Sequence, residues 1–421
     1  MRFIHTADWH LGNQMHDIDR HEEVLQFLNW LKNQIIEKKA EALVISGDIF
    51  DTVNPSVEAR RFYYSFLASL VGTCCHNIII VGGNHDSAVL LDSAKQLLEV
   101  LDIRVVGSIN NLSAEDMVFE LFDGDKNAIG ICIASPFVRE TELRNLLDDS
   151  DIEDCDLFSV AYKQFYENLY EAAEKLRAGR NIPVIATGHL YARDLEGRLN
   201  GVASNVKSDD GVKVLDVLGT LGNVPSSVFP PVDYVALGHI HYTTTVAGNP
   251  AIRYSGSPFV MGFDEAEINH YVLCVDVEQG SAPCVEKLET PTAAVFRRIE
   301  GTLGEIKERL SAFCKFSPEK PVYLELCYKR DIGSNAYEFL SDAIAALPEN
   351  VHIASWKIAE QENHFSATGF DSLDAEEVKN LDDQEVFSQL ILAREGLSPD
   401  SDEAKAVLEK FLPLFLQIAG E

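Results

Sequence analysis

Nine residues of types that hold metal ions fall into five short segments of this chain. The segments are Asp8-Trp9-His10, Gly47-Asp48, Gly83-Asn84-His85-Asp86, Gly188-His189 and Gly238-His239-Ile240-His241. Each alone is weak evidence. Together they supply carboxylates, imidazoles and one amide oxygen, with no thiolate, a donor set suited to Mn, Fe, Zn or Mg rather than to a soft metal. Two such ions, roughly 3.5–4 Å apart, generate a nucleophile at neutral pH and offset charge on a phosphodiester. Such a pair requires a carboxylate shared between the ions, and Asp48 is the natural bridge. Asp8, His10 and His241 would complete one ion; Asn84, His189 and His239 would complete the other.

His85 follows Asn84 directly, so its side chain is expected to point away from the ligand position. The best use for it is above the ions, facing the scissile phosphate, where it stabilises the transition state or protonates the leaving oxygen. Asp86 is expected to orient His85 or a ligand histidine from behind. Glycines beside Asp48, Asn84, His189 and His239 leave room for backbone and substrate to come close.

Strands and helices must bring these segments together. Arg2–Thr6, Ala42–Ser46, Asn77–Val81, Ile129–Ala134, Pro183–Thr187, Tyr234–Leu237 and Tyr271–Val275 read as strands. Arg20–Lys39, Ser56–Val71, Ala88–Leu101 and Phe158–Arg177 carry helical apolar spacing. This alternation implies a layered α/β domain, with the chemistry at the carboxyl ends of strands. After about residue 290 the metal-type residues stop. Strands at Val295–Glu300, Val322–Cys327 and Val351–Lys357 alternate with helices at Leu303–Phe313 and Asn335–Leu347, a small α+β module over 291–358. A polar linker over 359–380 and two amphipathic helices, Asp382–Gly396 and Asp400–Ala419, complete the chain, with Pro413 a kink in the second. Residues 381–421 read as a helical pair that docks on a partner.

The five segments resemble the calcineurin-like metallophosphoesterase superfamily. The wider stretches RFIHTADWHLG, GDIFDT, GGNHDS, ATGHL, ALGHIH and RYSGSP are similar to its DNA nuclease subunits that work with a coiled-coil ATPase. The resemblance covers residues 1–290 most strongly. It implies an α/β sandwich, a DNA-capping role for the small module, and ATPase docking by the C-terminal helices. It implies that the seven ligands and His85 keep the roles given above, with Mn²⁺ as the metal. It further implies a homodimer within a heterotetramer, exonuclease action on double-stranded ends and endonuclease action on hairpins or blocked ends. DNA repair, recombination and replication are the processes such a nuclease serves. By the same analogy, the helices at 56–71 and 88–101 form the dimer contact.

Bulk properties limit the alternatives. The formal charge is −32, from 35 basic and 67 acidic residues. A protein that gripped DNA through its overall field would be basic, so DNA affinity is expected from bound cations and a partner. The eight cysteines form no C-x-x-C pair and read as reduced thiols of a cytoplasmic protein. No signal peptide and no apolar run of about 18 residues is expected to send the chain into or across a membrane. A phosphatase or cyclic-nucleotide phosphodiesterase would share the metal site, though it has little need of about 130 further residues. An inactive scaffold on DNA ends is the rival from another class, and has no use for His85.

Other residues carry blander expectations. His5 and Trp9 read as packing residues. His16, His21, His76, His270, His352 and His364 read as surface or core histidines. Ser257 suits either a contact near the site or a tight turn. Phe62, Tyr63 and Phe66 exceed what one core face needs and are expected to reach a subunit contact. The acidic run Asp148–Asp156 reads as a solvated loop.

Overall fold

The runs ALVIS and NIIIV are apolar almost without interruption, which marks strands covered on both faces; both are buried at every position. In the computed structural model, residues 1–16, 18–144, 157–192, 195–196, 223–313, 318–328 and 336–358 are described, with isolated helical positions at 388, 405, 407, 408, 410 and 411. The expected linker, the two C-terminal helices apart from those positions, the acidic run and His364 lie outside the described residues.

The chain begins β1 (Arg2–Thr6), α1 (His21–Lys38), β2 (Ala42–Ser46), α2 (Val57–Leu70), β3 (Asn77–Val81), α3 (Ala88–Ser93), α4 (Lys95–Glu99), β4 (Ile103–Val106). It continues β5 (Val118–Phe122), β6 (Ala128–Ile133), α5 (Glu140–Arg144), α6 (Leu157–Arg177), β7 (Val184–His189), with short strands β8 (Tyr191–Ala192), β9 (Leu195–Glu196) and β10 (Asn223–Val224). Then come β11 (Tyr234–Gly238), β12 (Thr244–Val246), β13 (Asn249–Tyr254), β14 (Tyr271–Asp276) and β15 (Cys284–Glu289).

Two sheets result, ordered β15-β14-β1-β2-β3-β4 and β5-β6-β7-β11-β13-β12-β9. In the first, β1 to β4 are parallel; in the second, β6, β7, β11 and β13 are parallel. Side chains alternate between two cores. Phe3, Val44, Ile79 and Val81 face one cluster with Ile133, Ile185, Val235 and Leu237 of the second sheet. Ile4, Leu43, Ile45 and Ile80 face another with Phe27, Leu31, Phe66 and Leu67 of α1 and α2. Each such fully buried side chain contributes roughly 1.5–3 kcal/mol. The expected α/β sandwich is the fold observed.

The span Ala88–Leu101 is two short helices rather than one, broken at Ala94 (φ −103°, ψ 3°). Ser93 Oγ bonds back to Leu90 O at 2.6 Å, a local alternative to continuing the helix. Phe62, Tyr63 and Phe66 are all buried within the chain and offer nothing to a subunit contact, a correction to the expectation from composition. Strands β4, β5, β12, β13 and β15 escaped the reading of the sequence because they are short or half-exposed. Cys75, Cys132, Cys274 and Cys327 are buried, and no disulfide joins the described cysteines.

Further on, β16 (Val295–Gly301), α7 (Leu303–Phe313), β17 (Val322–Tyr328), α8 (Ala336–Ala345) and β18 (Val351–Ile358) form a three-stranded sheet, ordered β16-β17-β18, and two helices. Met1–Ile299 packs with Lys307–Leu326 and Leu340–Trp356 as one compact unit; Glu300–Ile306 and Cys327–Phe339 belong to another. Within the first, Phe296 of β16 packs with Met15, Ile18, Val260 and Phe263. Among the described residues, no helix is long and apolar enough to cross a membrane.

His5 stitches the two sheets together. Its Nε2 donates to Leu237 O (3.2 Å), which leaves Nδ1 to accept from Tyr234 Oη (3.1 Å). Burial without a countercharge pushes its pKa down to about 3. The unfolded chain therefore takes up a proton near pH 6.5 that the native chain refuses, and stability falls as pH drops from there toward 3. The loss is about 1.4 kcal/mol per pH unit. Chemical denaturation at pH 7 and pH 5 should show the wild type losing roughly 2 kcal/mol more than a His5→Gln variant. Equal losses would remove His5 from this role.

Candidate metal centre

Parallel order brings the segments to one edge. Asp8 follows β1, Asp48 follows β2 and Asn84 follows β3, while His189 ends β7 and His239 follows β11. The loops hold one another: Asp8 N donates to Gly47 O and His10 N to Asp48 O, both at 3.0 Å. The second sheet is tied in by His239 N donating to Asp8 Oδ1 (2.8 Å) and Ser46 Oγ donating to Ala236 O (3.0 Å). Asp8, His10, Asp48 and His239 all take positive φ, at 54°, 43°, 50° and 98°. Residues other than glycine adopt this conformation at a cost of order 1–3 kcal/mol, and do so mainly where function requires it.

The expected ligands meet in two groups. Ligand atoms of Asp8, His10 and His241 lie within 4.8 Å of one another, as do those of Asp48, His189 and His239. Asp48 Oδ2 lies between the groups, 3.2 Å from His189 Nε2 and 3.6 Å from His10 Nε2. Asn84 Oδ1 is 3.0 Å from His189 Nε2. The ring of His189 is set by its Nδ1–H, which donates to Ser46 O at 2.9 Å. Space is close enough that a Cβ at Gly83 would collide with the Asp48 carboxylate, and one at Gly47 with the His189 ring.

The polar accounting fits cations. Asp8 Oδ2 and both ring nitrogens of His10 are buried without a well-aligned hydrogen-bond partner. Leaving such groups unsatisfied costs about 1–3 kcal/mol each. Burial pushes the Asp8 carboxyl up to about 6, against the pull of His189 and His241. Burial would also raise Asp48, but His189 outweighs it and holds Asp48 below the usual carboxylate range. In His189 burial opposes the charged form, yet Asp48 outweighs it and lifts the ring to about 9. A buried set of carboxylates and imidazoles that trade charge in this way is the chemistry of a divalent-cation site.

His85 is half-buried beside this cluster. Its backbone N–H donates to Asp48 Oδ1 (2.9 Å), and its Nδ1–H donates to Asp51 O (2.9 Å), which leaves Nε2 unengaged by that bond. Its ring lies edge-on to His10, with centroids 4.9 Å apart. Asp86 holds loops rather than rings. Its carboxylate accepts from Gly83 N (2.9 Å), Ile49 N (3.1 Å) and Phe50 N (2.9 Å), so it pins the two loops that carry Asn84 and Asp48.

Two carboxylates were not singled out from the sequence. Glu265 Oε1 accepts from His241 Nδ1 (3.2 Å) and its Oε2 from Met261 N (2.9 Å), which turns His241 Nε2 away from that bond. It stands in the run Asp264-Glu265-Ala266-Glu267, where nothing in composition distinguishes one acid from another. Asp51 joins His10 and His85 in a third group of ligand-type atoms within 4.8 Å. It lies inside the quoted GDIFDT stretch, three residues past Asp48, and that proximity was the available signal.

The blander residues settle as follows. Trp9 is buried between Phe27 and Phe66, its Nε1 donating to Thr6 Oγ1 (2.9 Å). Ser257 makes a turn: its Oγ accepts from Phe259 N (3.2 Å), and its N donates to His241 O (3.0 Å). His270 is a core histidine on Ser257 O.

Known proteins are similar to this chain. The calcineurin-like phosphoesterase family matches residues 1–243. SbcD of the nuclease SbcCD from Escherichia coli K12 is 31% identical over 429 aligned positions, covering 100% of this chain and 99% of that protein. The proteins of the same name from Rhodobacter capsulatus and Bacillus subtilis are each 29% identical. The first match covers 83% of this chain and 85% of the relative, the second 66% and 67%.

Proposed function

The chain belongs to the calcineurin-like phosphoesterases, and within them to the SbcD nucleases; on that footing we propose that it cleaves DNA at a two-cation centre formed by Asp8, His10, Asp48, Asn84, His189, His239 and His241. The observation that supports this best is the position of Asp48 Oδ2 between the two ligand groups. Asp8, His10 and His241 serve one ion and Asn84, His189 and His239 the other. Bound there, the ions, Mn²⁺ in this reading, would supply the chemistry of an activated water and offset charge on the phosphate.

The remaining work falls to side chains. His85, with Nδ1–H committed to Asp51 O, presents Nε2 to the phosphate oxygens. Protonated there, it stabilises the developing charge or passes its proton to the leaving oxygen. Asp86 and Glu265 keep loops and His241 in register.

In this reading the substrates are double-stranded ends, degraded as an exonuclease, and hairpins or blocked ends, cut as an endonuclease. The chain works in the cytoplasm as a homodimer bound to an SbcC-type ATPase in a heterotetramer, in DNA repair, recombination and replication. Residues 1–290 are the nuclease domain, 291–358 the capping domain, 359–380 a linker and 381–421 the ATPase-docking segment. The charge of −32 supports a borrowed grip on DNA. Val57 on α2, Val89 on α3, Leu97 on α4 and Val100 just past it are exposed, and support a subunit contact there.

The test is cleavage of labelled linear and hairpin DNA with Mn²⁺, with and without chelator and an SbcC-type ATPase. Cutting that needs Mn²⁺ and rises with the ATPase is the expected result. Turnover of a small phosphate ester without DNA cutting would move the chain to the phosphatase or cyclic-nucleotide branch. Metal and DNA binding with no turnover would make it a scaffold.

A further inference from the structure

We propose that Arg20, Asn13 and Asp51 form a positioning relay that sets His10 and His85 and makes their placement depend on Phe296 of the small sheet. This rests on the roles given to His10 and His85 above. Nothing in the metal-ligand pattern requires these three residues, and they come from separate places in the chain.

The relay starts at a buried cation. Arg20, at the N-terminus of α1, is 8% exposed. Its guanidinium lies over two rings, 5.5 Å from the centroid of Phe259 and 5.8 Å from that of Phe296. Its Nε donates to Glu23 Oε2 (2.7 Å), itself buried, and its Nη1 donates to Asn13 Oδ1 (3.1 Å). Nη2 is buried with no hydrogen-bond partner. Burying such a pair is a poor source of stability, because desolvation consumes most of what the attraction returns. What the arrangement does provide is direction: a planar fork held by aromatic faces fixes where its N–H groups point.

The next link is unidirectional. Because Asn13 Oδ1 accepts from Arg20, its amide nitrogen is turned the other way, and Nδ2 donates to Asp51 Oδ1 at 3.1 Å. The same Oδ1 lies 3.2 Å from His10 Nδ1. Asp51 also takes the Nδ1–H of His85 on its carbonyl. One residue thus addresses both histidines, through its side chain for His10 and its main chain for His85. The Asp51 carboxylate is the charge nearest His10 Nδ1, and such outer partners favour leaving the other ring nitrogen for a cation. Rotation of the Asn13 amide would present an oxygen to the Asp51 carboxylate and break the chain of donors.

Asn13→Asp tests the relay sharply. The new carboxylate keeps the size and still accepts from Arg20, but it cannot donate to Asp51. Because the new carboxylate also sets a like charge against Asp51, Asn13→Leu, which removes the donor without adding charge, is measured beside it and should show the same losses. In the full chain, the Asn13→Asp variant should lose about 10- to 100-fold in kcat on hairpin DNA with KM unchanged, and bind Mn²⁺ about 10-fold more weakly by calorimetry. Its melting midpoint should stay near that of the wild type. Phe296→Leu, which keeps an apolar side chain but removes the aromatic face, should show a smaller loss in the same direction. If these variants cut and bind Mn²⁺ as the wild type does, while His85→Asn is inactive, the relay is overturned and the nuclease reading stands. If the wild type does not cut at all, the nuclease reading falls, and the Mn²⁺ titrations alone decide the relay.

Discussion

Asp48→Asn is expected to reduce cleavage to background and to lower the number of ions bound. The substitution is nearly isosteric. Asparagine Oδ1 can still accept from His85 N, so the loop geometry at 2.9 Å survives. What disappears is the charge shared by the two ligand groups, together with the Oδ2 that lies 3.2 Å from His189 and 3.6 Å from His10. His189 then keeps its burial and loses its main countercharge, so the ring sheds its proton and the tie to residue 48 weakens. Metal content by mass spectrometry and a melting curve, read beside the cleavage assay, separate loss of ions from loss of fold. A folded Asp48→Asn protein that still holds two ions and cuts would remove Asp48 from the bridge.

His85→Asn is expected to behave differently. Cleavage should fall by about 10²–10⁴, the worth of a positioned general acid or base, while both ions remain bound. The backbone N–H of residue 85 goes on donating to Asp48, so the metal ligands keep their support. Single-turnover kinetics on a hairpin substrate, with Mn²⁺ affinity measured in parallel, give the comparison. An intact rate would exclude His85 from the chemistry; a lost rate with lost ions would make it a ligand instead.

Much of this centre is legible in the amino-acid order, for a specific reason. Asp8, Asp48, Asn84, His189 and His239 each stand at or just past the end of a largely apolar strand, and parallel strands bring such ends to one edge. ALVIS and NIIIV could scarcely have been anything else. The supporting residues are less legible. Glu265 and Asp51 stand out only by where their oxygens point, which spacing does not encode. Asp86 was expected to orient a histidine, but its short side chain reaches three backbone amides first. The aromatic residues of α2 looked surplus because a single helix face was counted; in the fold, Tyr63 meets Phe50 and Phe66 meets Trp9. The broken helix at Ala94 depends on a serine bonding back to its own turn, a choice between two local conformations of similar energy.

The centre is divided between the sheets. Asp8, His10, Asp48 and Asn84 come from loops of one, and His189, His239 and His241 from the other. In the proposed centre each ion's ligands are drawn from both sheets, so each bound cation would act as a rivet through the sandwich. By mass action, each ion at a hundred times its dissociation constant would add about 2.7 kcal/mol to folding. Chelation would therefore be a mechanical act on this protein as well as a chemical one, because it would loosen the seam between the layers as it disarmed the catalyst.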